Sequence, residues 1–233
     1  MLVTEAGAAL LGKVGVDGLT APHIILLARD QNVPTLAVAD VADVSEYSGG
    51  GYTGGFGGSS RQVPGSLTSA ADAANDRAEI DAADVSFTGV TGPAAIAPCV
   101  AFIDEVTNDA NSPVIAFLPL RIGAIDVTAA SEDNPAVITT DGDHGLSTGD
   151  LVYIEGFAGG TWGDQLNGKH FNVTVVDGDE FSLDGVDSTL FGTATFATAK
   201  VYRPLAMNGA AVTVQWSAEG LIHLVPQVGA VAS

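Results

Sequence analysis

Three stretches of this chain carry residue types at the spacing of known catalytic or nucleotide-binding loops. Gly49-Gly50-Gly51-Tyr52-Thr53-Gly54 fits the dinucleotide fingerprint G-x-G-x-x-G. That loop works by joining a strand to a helix whose N-terminus meets the pyrophosphate, and here more glycine follows instead of a helix. Gly163-Asp164-Gln165-Leu166-Asn167-Gly168-Lys169-His170 falls one residue short of a Walker A loop. His170 stands where Ser or Thr would hold magnesium, Asp164 would set negative charge beside the phosphates, and a strand is expected where a helix must start. Gly145-Leu146-Ser147-Thr148-Gly149 matches the nucleophile elbow G-x-S-x-G, yet turn residues precede the serine and a strand follows it. None of the three has the flanking elements that its chemistry requires.

Acidic residues invite a metal reading at Asp141, Asp143 and His144, and again at Asp177, Asp179 and Glu180. A calcium loop beginning at Asp141 wants Glu at its twelfth position, where Val152 stands. Both groups are therefore read as solvated turns. His23, His144, His170 and His223 share no ligand spacing and are read as scattered structural or surface residues. Paired glycosidase carboxylates stay open, because with 28 acidic residues no particular pair is informative. Cys99, the single cysteine, lies in the apolar run Ile96–Phe102 and is expected to be a buried, inert thiol. Asn172-Val173-Thr174 fits the glycosylation sequon but falls in an expected strand. No catalytic residue, cofactor or metal ligand is expected.

Composition bounds the partners. The 233 residues carry 28 acidic against 8 basic side chains, a formal net charge of −20. Phosphate backbones and anionic membranes are bound through basic clusters, and none is present in the sequence, so neither nucleic acid nor membrane is expected. No apolar run approaches the ~20 residues of a membrane helix. The opening Met1–Glu5 lacks a basic n-region, so no secretory signal is expected. A hydrophobic fraction of 46% argues for a folded core.

Along the chain, Thr4 is suited to cap a short helix through about Leu11. Pro22–Ala28 reads as a buried strand, with a helix left open, and Leu36–Val44 is ambiguous between strand and extended loop. The glycine-dense stretch from Ser48, and the chain on through about Ala74, is expected to be a long surface loop, since each glycine costs backbone entropy to order. Its aromatics Tyr52 and Phe56 are candidate partner contacts, ordered against a neighbour or simply mobile. Val85–Phe87, Ala95–Asp104 and Pro113–Leu118 read as strands. At the far end, Val212–Trp216 and Leu221–Val225 form an expected hairpin across Ala218-Glu219-Gly220.

The stretch from Arg121 to Arg203 is bracketed by two similar tags, Phe117–Leu120 and Arg203–Leu205. Five strands are expected within it: Val137–Thr139, Leu151–Ile154, Phe171–Val176, Glu180–Leu183 and Thr193–Tyr202. Asp177-Gly178-Asp179 is a tight turn between two of them. The fold expected is all-β: a β-sandwich or jelly-roll-like host domain, residues 1–120 plus 204–233, with a small β-barrel, residues 121–203, inserted in a loop.

His144–Asp150, Asn167-Gly168-Lys169 with Phe171–Thr174, and Phe181–Ser188 carry a resemblance. This insert resembles the small β-barrel modules, similar to a half-domain of ubiquitin-activating enzymes, that recur in tailed-bacteriophage virion proteins. The host domain resembles phage and prophage structural proteins at Gly50–Thr53, Asn75–Val85, Asn208-Gly209 and Val212–Gly220. The resemblance implies a non-enzymatic virion protein with no catalytic residue. Within that class the expectation is a capsid-surface decoration protein or head-fibre base. It would bind the major capsid protein or neighbouring virion proteins and form a homo-oligomer, a trimer on class grounds. The alternative is a tail or baseplate adhesin contacting a host-surface glycan, with Trp162 or Tyr153 exposed for stacking on sugar. A glycan-degrading enzyme is the remaining rival.

Overall fold

Two apolar runs dominate the fold because water is excluded from both of their faces. Ala95–Asp104 is buried at every position, and Ile24–Leu27 are buried together beside it. A strand covered on both sides reads as a continuous hydrophobic run, which is why periodicity alone could not separate strand from helix there. The computed structural model describes residues 2–14, 18–31, 33–72, 77–91, 95–207, 209, 211–216 and 222–224.

In chain order the elements of the first half are β1 (Leu2–Val3), α1 (Glu5–Val14), β2 (Pro22–Ala28), β3 (Thr68–Asp72), β4 (Arg77–Asp81), β5 (Val85–Phe87), β6 (Ala95–Asp104) and β7 (Val114–Pro119). Then come β8 (Ala124–Ala130), β9 (Val137–Thr140), β10 (Leu151–Glu155), α2 (Trp162–Leu166), β11 (Lys169–Val175), β12 (Glu180–Leu183) and β13 (Lys200–Tyr202). The last are β14 (Leu205–Ala206), β15 (Val212–Val214) and β16 (Ile222–Leu224). The protein is all-β in class, with a closed six-stranded barrel in the order β10-β11-β12-β9-β8-β13.

Outside the barrel, β1, β7, β6 and β14 form a sheet that β2 joins by pairing with β6. One face of it sends Ile24, Leu26, Val100 and Phe102 into a core shared with Tyr47, Tyr52, Val85 and Phe87. The other face sends Ile25, Leu27, Cys99, Ala101 and Phe117 into a second core, which includes Leu151 of the barrel. Thr4 caps α1 as its sequence suggests: its Oγ1 accepts from the Gly7 N–H at 2.9 Å. The helix runs to Val14, one turn beyond the expected end.

All six barrel strands come from residues 124–202, and the first and last of them are neighbours, with Ala124 opposite Tyr202. The flanking strands β7 and β14 both pair with β6. The chain thus leaves the sheet and returns to it beside the same strand, the geometry that a loop insertion needs. Ile138, Val152, Ile154, Val173, Phe181 and Val201 fill the barrel interior.

Five expectations need correction. The loop expected through about Ala74 is broken by β3, which pairs antiparallel with β4. β8 is a sixth barrel strand that the sequence reading missed, although Ile125 and Val127 point inward and alternate with outward Asp126 and Thr128. The expected strand Thr193–Tyr202 is regular only at Lys200–Tyr202; before it Ala199 N–H bonds back to the Phe196 carbonyl at 2.9 Å, a turn. Leu36–Val44 is neither strand nor fully extended, since Val41–Asp43 forms a 3-10 turn. Among the described residues, β15 and β16 do not pair with each other as the expected C-terminal hairpin requires: β15 pairs with β5 and β16 with β4. Residues 212–214 run antiparallel to 85–87 and 222–224 antiparallel to 78–80, so that Val85 is opposite Val214 and Ile80 opposite Ile222. Burying Val85, Phe87 and Val214 in the main core outweighs a local turn. The proposed turn at 218–220 lies outside the described residues.

Candidate functional site

The glycine stretch is held by a buried ion cluster. Arg61 has no exposed side-chain surface, and its guanidinium meets Glu46, Glu105 and Asp109. Glu46 takes the fork geometry, with Arg61 Nε at 3.1 Å and Nη2 at 2.6 Å. Burial pulls the Arg61 pKa down, but its bonds to Glu46, Glu105 and Asp109 outweigh that and raise it. Glu46 also accepts from the Tyr52 hydroxyl at 2.8 Å and from the Gly55 N–H at 2.9 Å. Gly51 has φ +82°, and a Cβ there would overlap the Gly89 carbonyl, so only glycine fits.

Tyr52 is therefore a core residue. It is 6% exposed, packs against Tyr47 and Phe87, and its hydroxyl pKa is raised first by burial and then by Glu46. Phe56 is 48% exposed and keeps the surface position expected of a partner contact. Gly57 next to it donates to Glu105 Oε1 at 3.2 Å, placing Phe56 near the flank that carries the exposed Val106.

Trp162 overturns the expectation of an exposed sugar-stacking aromatic. It is fully buried, stacked on Phe157 with ring centroids 6.0 Å apart and met edge-on by Phe191 at 5.1 Å. Its indole Nε1 donates to the Gly192 carbonyl at 2.5 Å. Tyr153, the other candidate, is 3% exposed. The Walker-like loop contains α2, but Lys169 donates to the carbonyls of Asp164 and Gln165 at 3.0 and 2.7 Å, so it closes the helix C-terminus. β11 follows directly. Ser147 sits in a loop beside Asp150, whose carboxylate pairs with Arg29.

The acidic turns are satisfied locally. Asp143 Oδ1 accepts from Gly145 N–H at 2.9 Å, and Asp177 Oδ1 from Asp179 and Glu180 N–H groups at 3.2 and 3.0 Å. Those N–H donors, that of Asp179 first, hold the Asp177 carboxyl below its usual value. Among the described residues, no group of three or more His, Cys, Asp or Glu side chains is placed to hold a metal. No helix among them is long and apolar enough to cross a membrane. Burial raises the Cys99 thiol pKa, which suits a structural role.

The barrel and the sheet meet at a junction that the sequence did not reveal. Leu151 inserts into the core under β2 and β6, and its N–H donates to the Arg29 carbonyl at 3.1 Å. Arg29 also pairs through its guanidinium with Asp150. Within the insert, Tyr202 donates to Glu155 Oε1 at 2.6 Å and Arg121 to Glu155 Oε2 at 2.8 Å. Burial and then the Glu155 bond push the Tyr202 hydroxyl up to about 12. Tyr153 and His170 pack together on the same outer face of the barrel, 5.0 Å between ring centroids. The arrangement fixes one β unit on another. No known family model matches the chain, and no curated protein matches it.

Proposed function

We propose that this chain is a non-enzymatic structural protein of a tailed-phage virion, acting as a capsid-surface decoration protein or head-fibre base. The observation that supports it best is the mounting of the barrel. A sheet covered on both faces holds a closed barrel through Leu151 and the Arg29–Asp150 pair, so the barrel is carried at a fixed place by a second unit. That is the construction of a part that docks by one unit and presents the other. The resemblances in His144–Asp150 and Phe181–Ser188 point to the same class. The proposed partners are the major capsid protein or neighbouring virion proteins, and further copies of the chain as a homo-oligomer. Phe56 remains the candidate contact.

The tail-adhesin alternative loses the feature it rested on, because Trp162 and Tyr153 are buried. Peptide mass spectrometry of purified virions, separated into heads and tails, tests the reading. The chain is expected in the head fraction in many copies; its absence from particles would reject the assignment.

A further inference from the structure

Asp-Gly pairs stand at three turns of the barrel: Asp141-Gly142 after β9, Asp177-Gly178 between β11 and β12, and Asp184-Gly185 after β12. An aspartate followed by glycine holds an electrophile and a nucleophile side by side, its own carboxyl and the next main-chain nitrogen. Glycine has no Cβ to crowd their approach. What separates the three pairs is what holds each carboxyl. Asp177 Oδ1 accepts from the Asp179 and Glu180 N–H groups at 3.2 and 3.0 Å. Asp184 Oδ1 accepts from Thr174 Oγ1 at 2.9 Å. Among the described residues, neither the Asp141 carboxyl nor the Gly142 N–H enters a hydrogen bond or ion pair. Both residues are exposed, and nothing lies within 4 Å of where a Gly142 Cβ would stand. The related amide pair Asn167-Gly168 is locked, because the Asn167 side chain accepts from the Phe157 N–H at 2.9 Å and donates to the Phe157 carbonyl at 2.8 Å. Asp17 and Asn208, which also precede glycines, lie outside the described residues.

The chemistry needs only water. The Gly142 nitrogen attacks Asp141 Cγ, and the carboxyl OH leaves with the amide hydrogen as water, which closes a five-membered succinimide. Water then reopens the ring. Where it attacks the Asp141 main-chain carbonyl, that C–N bond breaks and the chain continues through Cγ as isoaspartate. One water leaves and one returns, so neither an oxidant nor a reductant is required. The step consumes a protonated carboxyl, whereas N–H donors, that of Asp179 first, hold the Asp177 carboxyl below its usual value and keep it ionised. Ring closure at Asp177 or Asp184 also breaks the bonds that hold those carboxyls. At Asp141 the product adds one carbon to the main chain beside Thr140, whose buried Oγ1 donates to the Gly142 carbonyl at 2.8 Å.

We propose that Asp141 is a site of spontaneous conversion to isoaspartate, selected over Asp177 and Asp184 by the fold. The inference rests on these turns alone and is independent of the virion reading. The full chain is held for weeks in mildly acidic buffer and digested, and its peptides are read by electron-transfer fragmentation, which tells isoaspartate from aspartate. In the folded chain isoaspartate is expected to accumulate at 141 at least about tenfold faster than at 177 or 184, where a hydrogen bond to the carboxylate must first be given up. In guanidinium chloride those bonds are gone while each aspartate still precedes a glycine, so the three rates are expected to converge. Thr174→Val, at an exposed strand position, removes the donor to Asp184 and is expected to raise the rate at 184 alone. Equal rates at the three sites in the folded chain, the folded order persisting in guanidinium chloride, or an unchanged rate at 184 in Thr174→Val would overturn the proposal.

Discussion

Trp162 lies among small residues, in Gly159-Gly160-Thr161-Trp162-Gly163, a setting that suggests an exposed side chain. The glycines have a different purpose. Gly160 has φ +50° and a Cβ on it would overlap the Phe191 carbonyl, so the loop folds tightly over the indole instead of presenting it. Trp162→Ala is expected to cost about 3–5 kcal/mol, measured by urea unfolding, through lost packing with Phe157 and Phe191. His170 gives a pH signature with a definite sign. Its pKa falls from 6.5 in the unfolded chain to about 4 in the fold, so above about pH 6.5 it contributes no penalty. As pH drops from there towards 4 the unfolded chain takes the proton first, and stability is lost, by about 3 kcal/mol in total at about 1.4 kcal/mol per unit. The difference between wild type and His170→Phe, followed by urea midpoints from pH 7 to pH 4, should show this slope; parallel curves would refute it.

At the scale of elements, the Ser48–Ser60 stretch shows a glycine-rich loop held by charge. Arg61 is its centre, and removing it leaves Glu46, Glu105 and Asp109 facing one another at a buried site. Arg61→Met is expected to cost about 3–5 kcal/mol, and to expose the loop to limited proteolysis before the barrel is cut. Retained stability and an intact loop would contradict the latch. The elements also show how far sequence reaches. β6, β7, β10, β11 and β12 were legible because their apolar runs and turn residues agree. β8 carried the same period-2 signal in Ile125 and Val127, masked by the long Thr-Ala-Ala-Ser tail after it. β15 and β16 were placed as strands, but their partners β5 and β4 are more than a hundred residues away, and pairing at that distance leaves no local mark. The Arg61 cluster was illegible for the same reason: its acids come from two other segments, Glu46 in one and Glu105 with Asp109 in the other.

For the whole molecule, the two-unit construction explains why the motif matches led nowhere. The glycines and acids at 141–150 and 163–170 build turns of a barrel, and Leu151 with Arg29–Asp150 fixes that barrel to the sheet. A negative surface of this size keeps free copies apart and leaves association to a complementary patch. The barrel's strand plan was readable from its turns, whereas the junction was not, because Leu151 looks like any inward strand residue in sequence. We propose that the sheet unit anchors the protein on a phage head. Immunogold labelling of intact virions with antibody to the recombinant protein tests it most directly. Gold is expected across the heads; gold confined to the tail or its tip would overturn the proposal.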